Sequence, residues 1–199
     1  MAVKQGIKFR EPIQRVIEKT KKVLEKKPKY QLIELYDIDC KEDPVRPELD
    51  LKFRTEHGRK IYGLKDEAGD IAAIMCFAFT HDVPRSVAEM DRLSKDAHIQ
   101  AVMRAGLQGN IAIAYTVWAR KKGGGRAIVD EVYKMIKKSN HLNRLVTLSP
   151  LTTMARNFHL KNGAKELQVN DTSQNFEYDI ELEQWEAYLE RAKKFFKIK

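Results

Sequence analysis

Apolar positions recur along this chain in two rhythms. Between Glu11 and Lys27, Ile13, Val16, Ile17, Thr20, Val23 and Leu24 return every three or four residues, the stripe of an amphipathic helix. Tyr30–Tyr36 reads as a short strand, and residues 40–50, with Pro44 and Pro47, as loop. Arg59–Lys65 and Ile71–Thr80 flank Asp66-Glu67-Ala68-Gly69-Asp70, a turn composition that predicts a hairpin. Ile71–Phe79 and Ile111–Ala119 are apolar throughout, as strands covered on both faces are. Arg85–Ala105 reads as helix, and a second clear stripe runs through Ile128, Val132, Met135 and Ile136. Arg144–Leu148 predicts a strand that stops at Ser149-Pro150. Thr152 or Thr153 can cap a short helix running to Asn162, with Gly163 in the usual position just past its end. Two strand-like segments, Glu166–Asn170 and Asn175–Leu182, precede a final helix, Gln184–Phe196. The sum is an α/β or α+β fold, a mixed sheet with helices on both faces.

Composition narrows the class. The 199 residues are 43% hydrophobic and 33% charged, as in a soluble globular protein of one domain. No apolar run approaches the ~20 residues of a membrane span, and Met-Ala-Val-Lys-Gln-Gly does not start a signal peptide. Cys40 and Cys76 lack metal-ligand spacing and read as free thiols of a cytoplasmic protein. The net charge of +9 admits nucleic acid, but much of the excess crowds the two ends, where solvated helix faces account for it.

The chemistry concentrates in Arg120–Gly125, Arg-Lys-Lys-Gly-Gly-Gly, between the apolar run Ile111–Ala119 and the amphipathic stretch Ala127–Ile136. Strand, glycine turn and helix in that order point backbone N–H groups and the positive end of a helix at one spot, which suits a phosphate. Arg120, Lys121, Lys122 and Arg126 surround the turn, and no acid follows it before Asp130. A mononucleotide P-loop needs Lys-Ser/Thr after its last glycine, and the dinucleotide fingerprint needs Gly-x-Gly-x-x-Gly; neither stands here.

What does stand here, Arg120-x-x-Gly123-x-Gly125 followed by Arg126-Ala127, resembles the pyrophosphate-binding motif of the GNAT (GCN5-related N-acetyltransferase) superfamily, which binds coenzyme A. Ala155-Arg-Asn-Phe-His-Leu-Lys-Asn-Gly163-Ala164 is similar to that superfamily's later helix motif. There a tyrosine four residues before the glycine often protonates the departing thiolate, and here that position is His159, a better proton carrier near neutral pH. Leu145-Val-Thr-Leu-Ser149-Pro150 and Asn157-Phe158-His159-Leu160-Lys161-Asn162-Gly163-Ala164 together resemble the malonyl-CoA decarboxylase family, whose catalytic domain is of GNAT type. Its catalytic serine and histidine fall on Ser149 and His159. The resemblance covers roughly residues 70–182. The chain departs from that family in three ways. It has no room for the large helical N-terminal domain or for the helical insertion before the histidine helix, and Leu151-Thr152-Thr153 replaces the family's hydrophobic-Pro-Gly after Ser-Pro.

The resemblance implies a GNAT-type, mostly antiparallel twisted sheet. It also implies coenzyme A or an acyl-CoA as substrate, held at Arg120, Lys121, Lys122, Gly123, Gly124, Gly125 and Arg126, with Tyr115, Val117 and Asn157 beside it. The activity it implies is decarboxylation of malonyl-CoA or a close analogue by Ser149 and His159, with no metal. An acetyl-CoA-dependent N-acyltransferase, with His159 as general acid and a small-molecule amine acceptor, is the alternative. Acids at Asp70, Asp82, Glu89 or Asp91 are candidates to serve it, since Ile111–Ala119 carries none. A non-catalytic acyl-CoA or polyanion binder is the third reading. Residues 1–65 match no motif, and a homodimer is one open oligomeric state.

Overall fold

In a computed structural model, residues 30–180 are described, apart from 105 and 107. The helices expected at Glu11–Lys27 and Gln184–Phe196 lie outside them. Among the described residues, eight strands form one sheet: β1 (Tyr30–Leu35), β2 (Lys60–Asp66), β3 (Ile71–Thr80), β4 (Ile111–Ala119), β5 (Arg144–Thr147), β6 (Ser149–Pro150), β7 (Lys165–Val169) and β8 (Ser173–Tyr178). The order is β1-β2-β3-β4-β5-β8-β6, with β7 on the other side of β8. Every pairing is antiparallel except β4 with β5. The expected hairpin is β2–β3, closed where the Asp66 N–H donates to the Asp70 carbonyl.

Among the described residues, four helices cover the sheet: α1 (Leu51–Thr55), α2 (Val87–Met103), α3 (Gly124–Lys137) and α4 (Thr153–Lys161). Alternation along β3 divides the core. Ala73, Met75, Phe77 and Phe79 face α3, whose Ile128, Val129, Val132 and Ile136 are buried against them; Ile74, Cys76 and Ala78 face the side of α1 and α2. This is why β3 and β4 read as unbroken apolar runs. The cap expected at the start of α4 is present, and α2 has one of the same kind. Ser86 caps α2 and Thr152 caps α4 with their side-chain oxygens, and Glu89 reaches back to the Arg85 N–H.

Some expectations need correction. The loop at 40–50 contains a 3-10 turn (Cys40–Glu42), and the five-residue α1, capped by Asp50, was too short to leave a helical stripe. The strand expected at Tyr30–Tyr36 ends at Leu35, and Tyr36 is exposed. The strand expected over Arg144–Leu148 leaves β4 at Thr147 but stays beside β8, which it pairs first through Leu145 and Val146 and then through Ser149–Pro150. That departure creates the site.

Candidate active site

β4 and β5 run parallel only from Ile111↔Arg144 to Ala114↔Thr147. Beyond that point β5's continuation stays with β8 alone, and among the described residues β4 keeps an unpaired edge through Ala119. A bulge reinforces the break. The β3–β4 register passes from Cys76↔Thr116 to Phe77↔Ala114, so Tyr115 has no partner across it. Arg46 fills part of the gap, its Nε donating to the Tyr115 carbonyl and Nη2 to the Leu148 carbonyl, both at 2.9 Å. Arg46 is fixed from below. Asp43, 1% exposed, accepts from the backbone N–H groups of Val45 and Arg46, from the Thr116 hydroxyl at 2.9 Å, and from Arg54 at 2.9 Å in a fully buried ion pair.

A cavity of about 340 Å³ occupies the separation of the strands. Val117, Trp118, Met154 and Phe158 give it an apolar wall, and Glu42 is the only acidic or basic side chain of the described residues, histidine aside, that borders it. Ser149 and His159, each 5% exposed, lie side by side on that wall. The Ser149 Oγ is 2.9 Å from His159 Nε2, and His159 Nδ1 is 3.1 Å from the Tyr178 hydroxyl. Ser149 Oγ also lies 3.2 Å from Thr147 Oγ1, which accepts the Phe176 N–H at 3.1 Å. The imidazole stacks on Phe176, with ring centroids 5.1 Å apart. Burial lowers the His159 pKa to about 4, and burial raises that of Tyr178, with Asp130 adding to it. His159 is therefore a neutral imidazole at neutral pH, not the near-neutral proton carrier its position in the sequence suggested.

At the mouth of the cavity stands the glycine turn. Gly123 takes φ 83°, the left-handed conformation that glycine adopts without strain, and α3 begins at the next residue. The N–H groups of Arg120 and Lys121 both donate to the Ala72 carbonyl, pinning the turn to β3. Gly124 and Gly125 divide the work. A Cβ on Gly124 would lie 2.5 Å from the Ala72 carbonyl oxygen, so this glycine serves close packing against β3. A Cβ on Gly125 would meet the Phe158 ring at 3.3 Å, and Gly125 borders the cavity. The cations are not all unopposed, as the local sequence suggested. Arg120 Nε pairs with Glu42 at 2.7 Å, and Lys121 pairs with Asp66 and Asp70 at 2.5 and 2.7 Å. The exposed side chains of Lys122 and Arg126 have no ion-pair partner among the described residues.

Of the other residues singled out in the sequence, Val117 borders the cavity. Tyr115 does too, but its ring is buried on the opposite side, edge-on to Phe53 of α1. Asn157 is exposed on α4 and does not border the cavity. None of Asp70, Asp82, Glu89 and Asp91 borders it either; Asp91, for example, is held by Arg59 and Lys95. Sequence reasoning missed Glu42, Thr147 and Tyr178. For Tyr178 a signal existed: period-two alternation along β8 places it on the core face two residues after Phe176. The Asp43–Arg54 pair left no such signal, because nothing in a sequence marks which arginine will be buried.

No family profile and no curated protein matches the sequence. Solved structures do. Malonyl-CoA decarboxylase from Cupriavidus metallidurans superposes with a TM-score of 0.52 at 13% identity, over 76% of this chain and 61% of that one. The chain thus spans less than two thirds of the length of that enzyme. The GphF GNAT-like decarboxylase, crystallised in complex with isobutyryl-CoA, gives a TM-score of 0.54 at 12% identity over 75% of this chain and 99% of its own. The loading GNATL domain of CurA from Lyngbya majuscula gives 0.53 at 12% identity, over 77% of this chain and 98% of its own. At these identities the likeness is one of fold, and the fold of this chain, with its mixed sheet and parted β4 and β5, is that of the GNAT proteins.

Proposed function

We propose that this protein is an acyl-CoA enzyme that decarboxylates malonyl-CoA or a close analogue. The observation that carries the reading is the Ser149–His159 contact, 2.9 Å long and buried at the wall of an apolar cavity. The pyrophosphate of coenzyme A would lie at the glycine turn, against the opening N–H groups of α3 and the cations Lys122 and Arg126. The pantetheine arm would run along the free edge of β4, where main-chain groups suffice to hold it. The thioester then reaches Ser149 and His159.

Decarboxylation breaks the bond between C2 and the carboxylate carbon. CO2 leaves, and the electron pair becomes a thioester enolate. Two features favour that step. Among the described residues the cavity presents no cation to stabilise the starting carboxylate, and its apolar wall raises the energy of a localised charge relative to one spread over the departing CO2 and the enolate. Hydrogen bonds from Ser149 and the neutral His159 then stabilise the enolate oxygen. C2 takes a proton from the Ser149–His159 pair, which regains it from water.

The second reading, an acyltransferase that uses an amine, is favoured by one observation: Glu42 places a carboxylate at the cavity wall, where it can receive an ammonium group. Incubation with malonyl-CoA in the absence of any amine separates the two. Acetyl-CoA accumulating in the mass spectrum supports the decarboxylase. Consumption of acetyl-CoA only when amines are supplied overturns it in favour of the transferase.

A further inference from the structure

The polar chain Thr147–Ser149–His159–Tyr178 has a direction, and the direction decides what the pair can do. Tyr178 is 5% exposed, and among the described residues its hydroxyl has one hydrogen-bond partner, His159 Nδ1. A buried phenol O–H left without an acceptor costs about 1–3 kcal/mol, so the phenol donates and Nδ1 accepts. A neutral imidazole carries one proton. With Nδ1 accepting, that proton sits on Nε2, and Nε2–H points at Ser149 Oγ. Ser149 receives this bond and turns its own proton to Thr147 Oγ1. Thr147 is held in turn by the Phe176 N–H.

We infer that Tyr178 is a positioning residue that holds His159 as the Nε2–H tautomer, which makes the Ser149–His159 pair a hydrogen-bond donor to substrate and not a serine nucleophile with its base. A nucleophilic serine needs the reverse polarity, with its proton aimed at an unprotonated Nε2. In the polarity found here Ser149 is not acylated, and both groups can turn an N–H or O–H to one developing oxyanion. Among the described residues no charged side chain stands against the ring: α4 brings its neighbour Phe158, β8 brings Phe176 and Tyr178, and the segment before α4 brings Ser149. The tautomer therefore rests on the phenol alone. The inference deepens the proposed decarboxylase reading and rests on it for the substrate, but the tautomer itself is measurable without turnover.

The experiment is long-range 1H–15N correlation NMR on protein with 15N-labelled histidine, free and with coenzyme A bound. The His159 signals, one of five histidine sets, are assigned by their absence in His159→Gln. The expected spectrum has a protonated Nε2 and an unprotonated Nδ1. Tyr178→Phe, which keeps the ring and loses the hydroxyl, removes the bond that Nδ1 accepts, so the Nδ1 15N signal should move downfield and kcat should fall roughly ten- to a hundred-fold with little change in KM. A wild-type Nδ1–H tautomer overturns the inference, and so does an Nδ1 15N signal unmoved by Tyr178→Phe. Mass spectrometry that finds an acyl group on Ser149 during turnover overturns it as well. An Nε2–H spectrum from protein that leaves malonyl-CoA untouched supports the tautomer assignment while removing the decarboxylase reading, so the two fail separately.

Discussion

Replacing Asp43 by Asn removes one charge and almost no volume from the network beneath β4. In the wild type this carboxylate faces Arg54 at 2.9 Å with both side chains fully buried. The Asn amide keeps an acceptor for the N–H groups of Val45 and Arg46 and for the Thr116 hydroxyl, but it leaves the Arg54 charge without a counter-ion. Breaking a buried pair from one side costs about 3–5 kcal/mol. Arg54 retains the carbonyls of Leu49 and Arg46 at 2.9 and 2.7 Å, so the lower end of that range applies. At ~2–4 °C per kcal/mol for a chain of this size, the Tm should fall by roughly 6–12 °C. The same segment sets Pro44 and Val45 on the cavity wall and aims Arg46 at the parted strands, so the affinity for coenzyme A should fall as well. Thermal unfolding followed by circular dichroism, with calorimetric titration of coenzyme A, reads both. The double variant Asp43→Asn with Arg54→Met removes the stranded charge and should recover most of the lost Tm. A single variant that unfolds within about 2 °C of the wild type, or a double variant less stable than the single, would refute the reasoning.

Two further outcomes follow from the geometry. Gly124→Val should destabilise the fold itself, because its Cβ would stand 2.5 Å from the Ala72 carbonyl oxygen, whereas Gly125→Val should leave a folded protein with weakened coenzyme A binding, since only Phe158 must move; thermal unfolding and calorimetry on both variants check the division. The His159 pKa near 4 also sets a pH dependence. The unfolded chain protonates this histidine below about pH 6.5 while the native state holds it neutral, so stability present above that pH is lost as pH falls towards 4. The loss is on the order of 3 kcal/mol, and His159→Gln should flatten the Tm-versus-pH curve over that window. Curves of equal slope would contradict the assignment.

The sequence was most legible where one rhythm or one cap decides the structure. Unbroken apolar runs marked β3 and β4 because both faces of these strands are covered, and Thr152 and Gly163 bracketed α4 within a residue. The motifs around them singled out Ser149 and His159 as candidates, and the structure brings the two side chains into contact. What stayed hidden depends on contacts between distant residues. Glu42 meets Arg120 across 78 positions, Asp43 meets Thr116 across 73, and Arg46 meets Leu148 across 102. No local pattern encodes such pairings. The apparent surplus of cations around the glycine turn was a local reading of this kind, undone when β2 and the β2–β3 turn delivered Asp66 and Asp70 to Lys121.

The most direct test of the central claim compares wild type with His159→Ala on malonyl-CoA without amine, measuring acetyl-CoA by mass spectrometry and coenzyme A affinity by calorimetry. Loss of a positioned proton donor should slow acetyl-CoA formation by about a hundred-fold or more while the affinity stays within about two-fold. Equal rates in the two proteins, or a wild type that binds coenzyme A and forms no acetyl-CoA, would contradict the account.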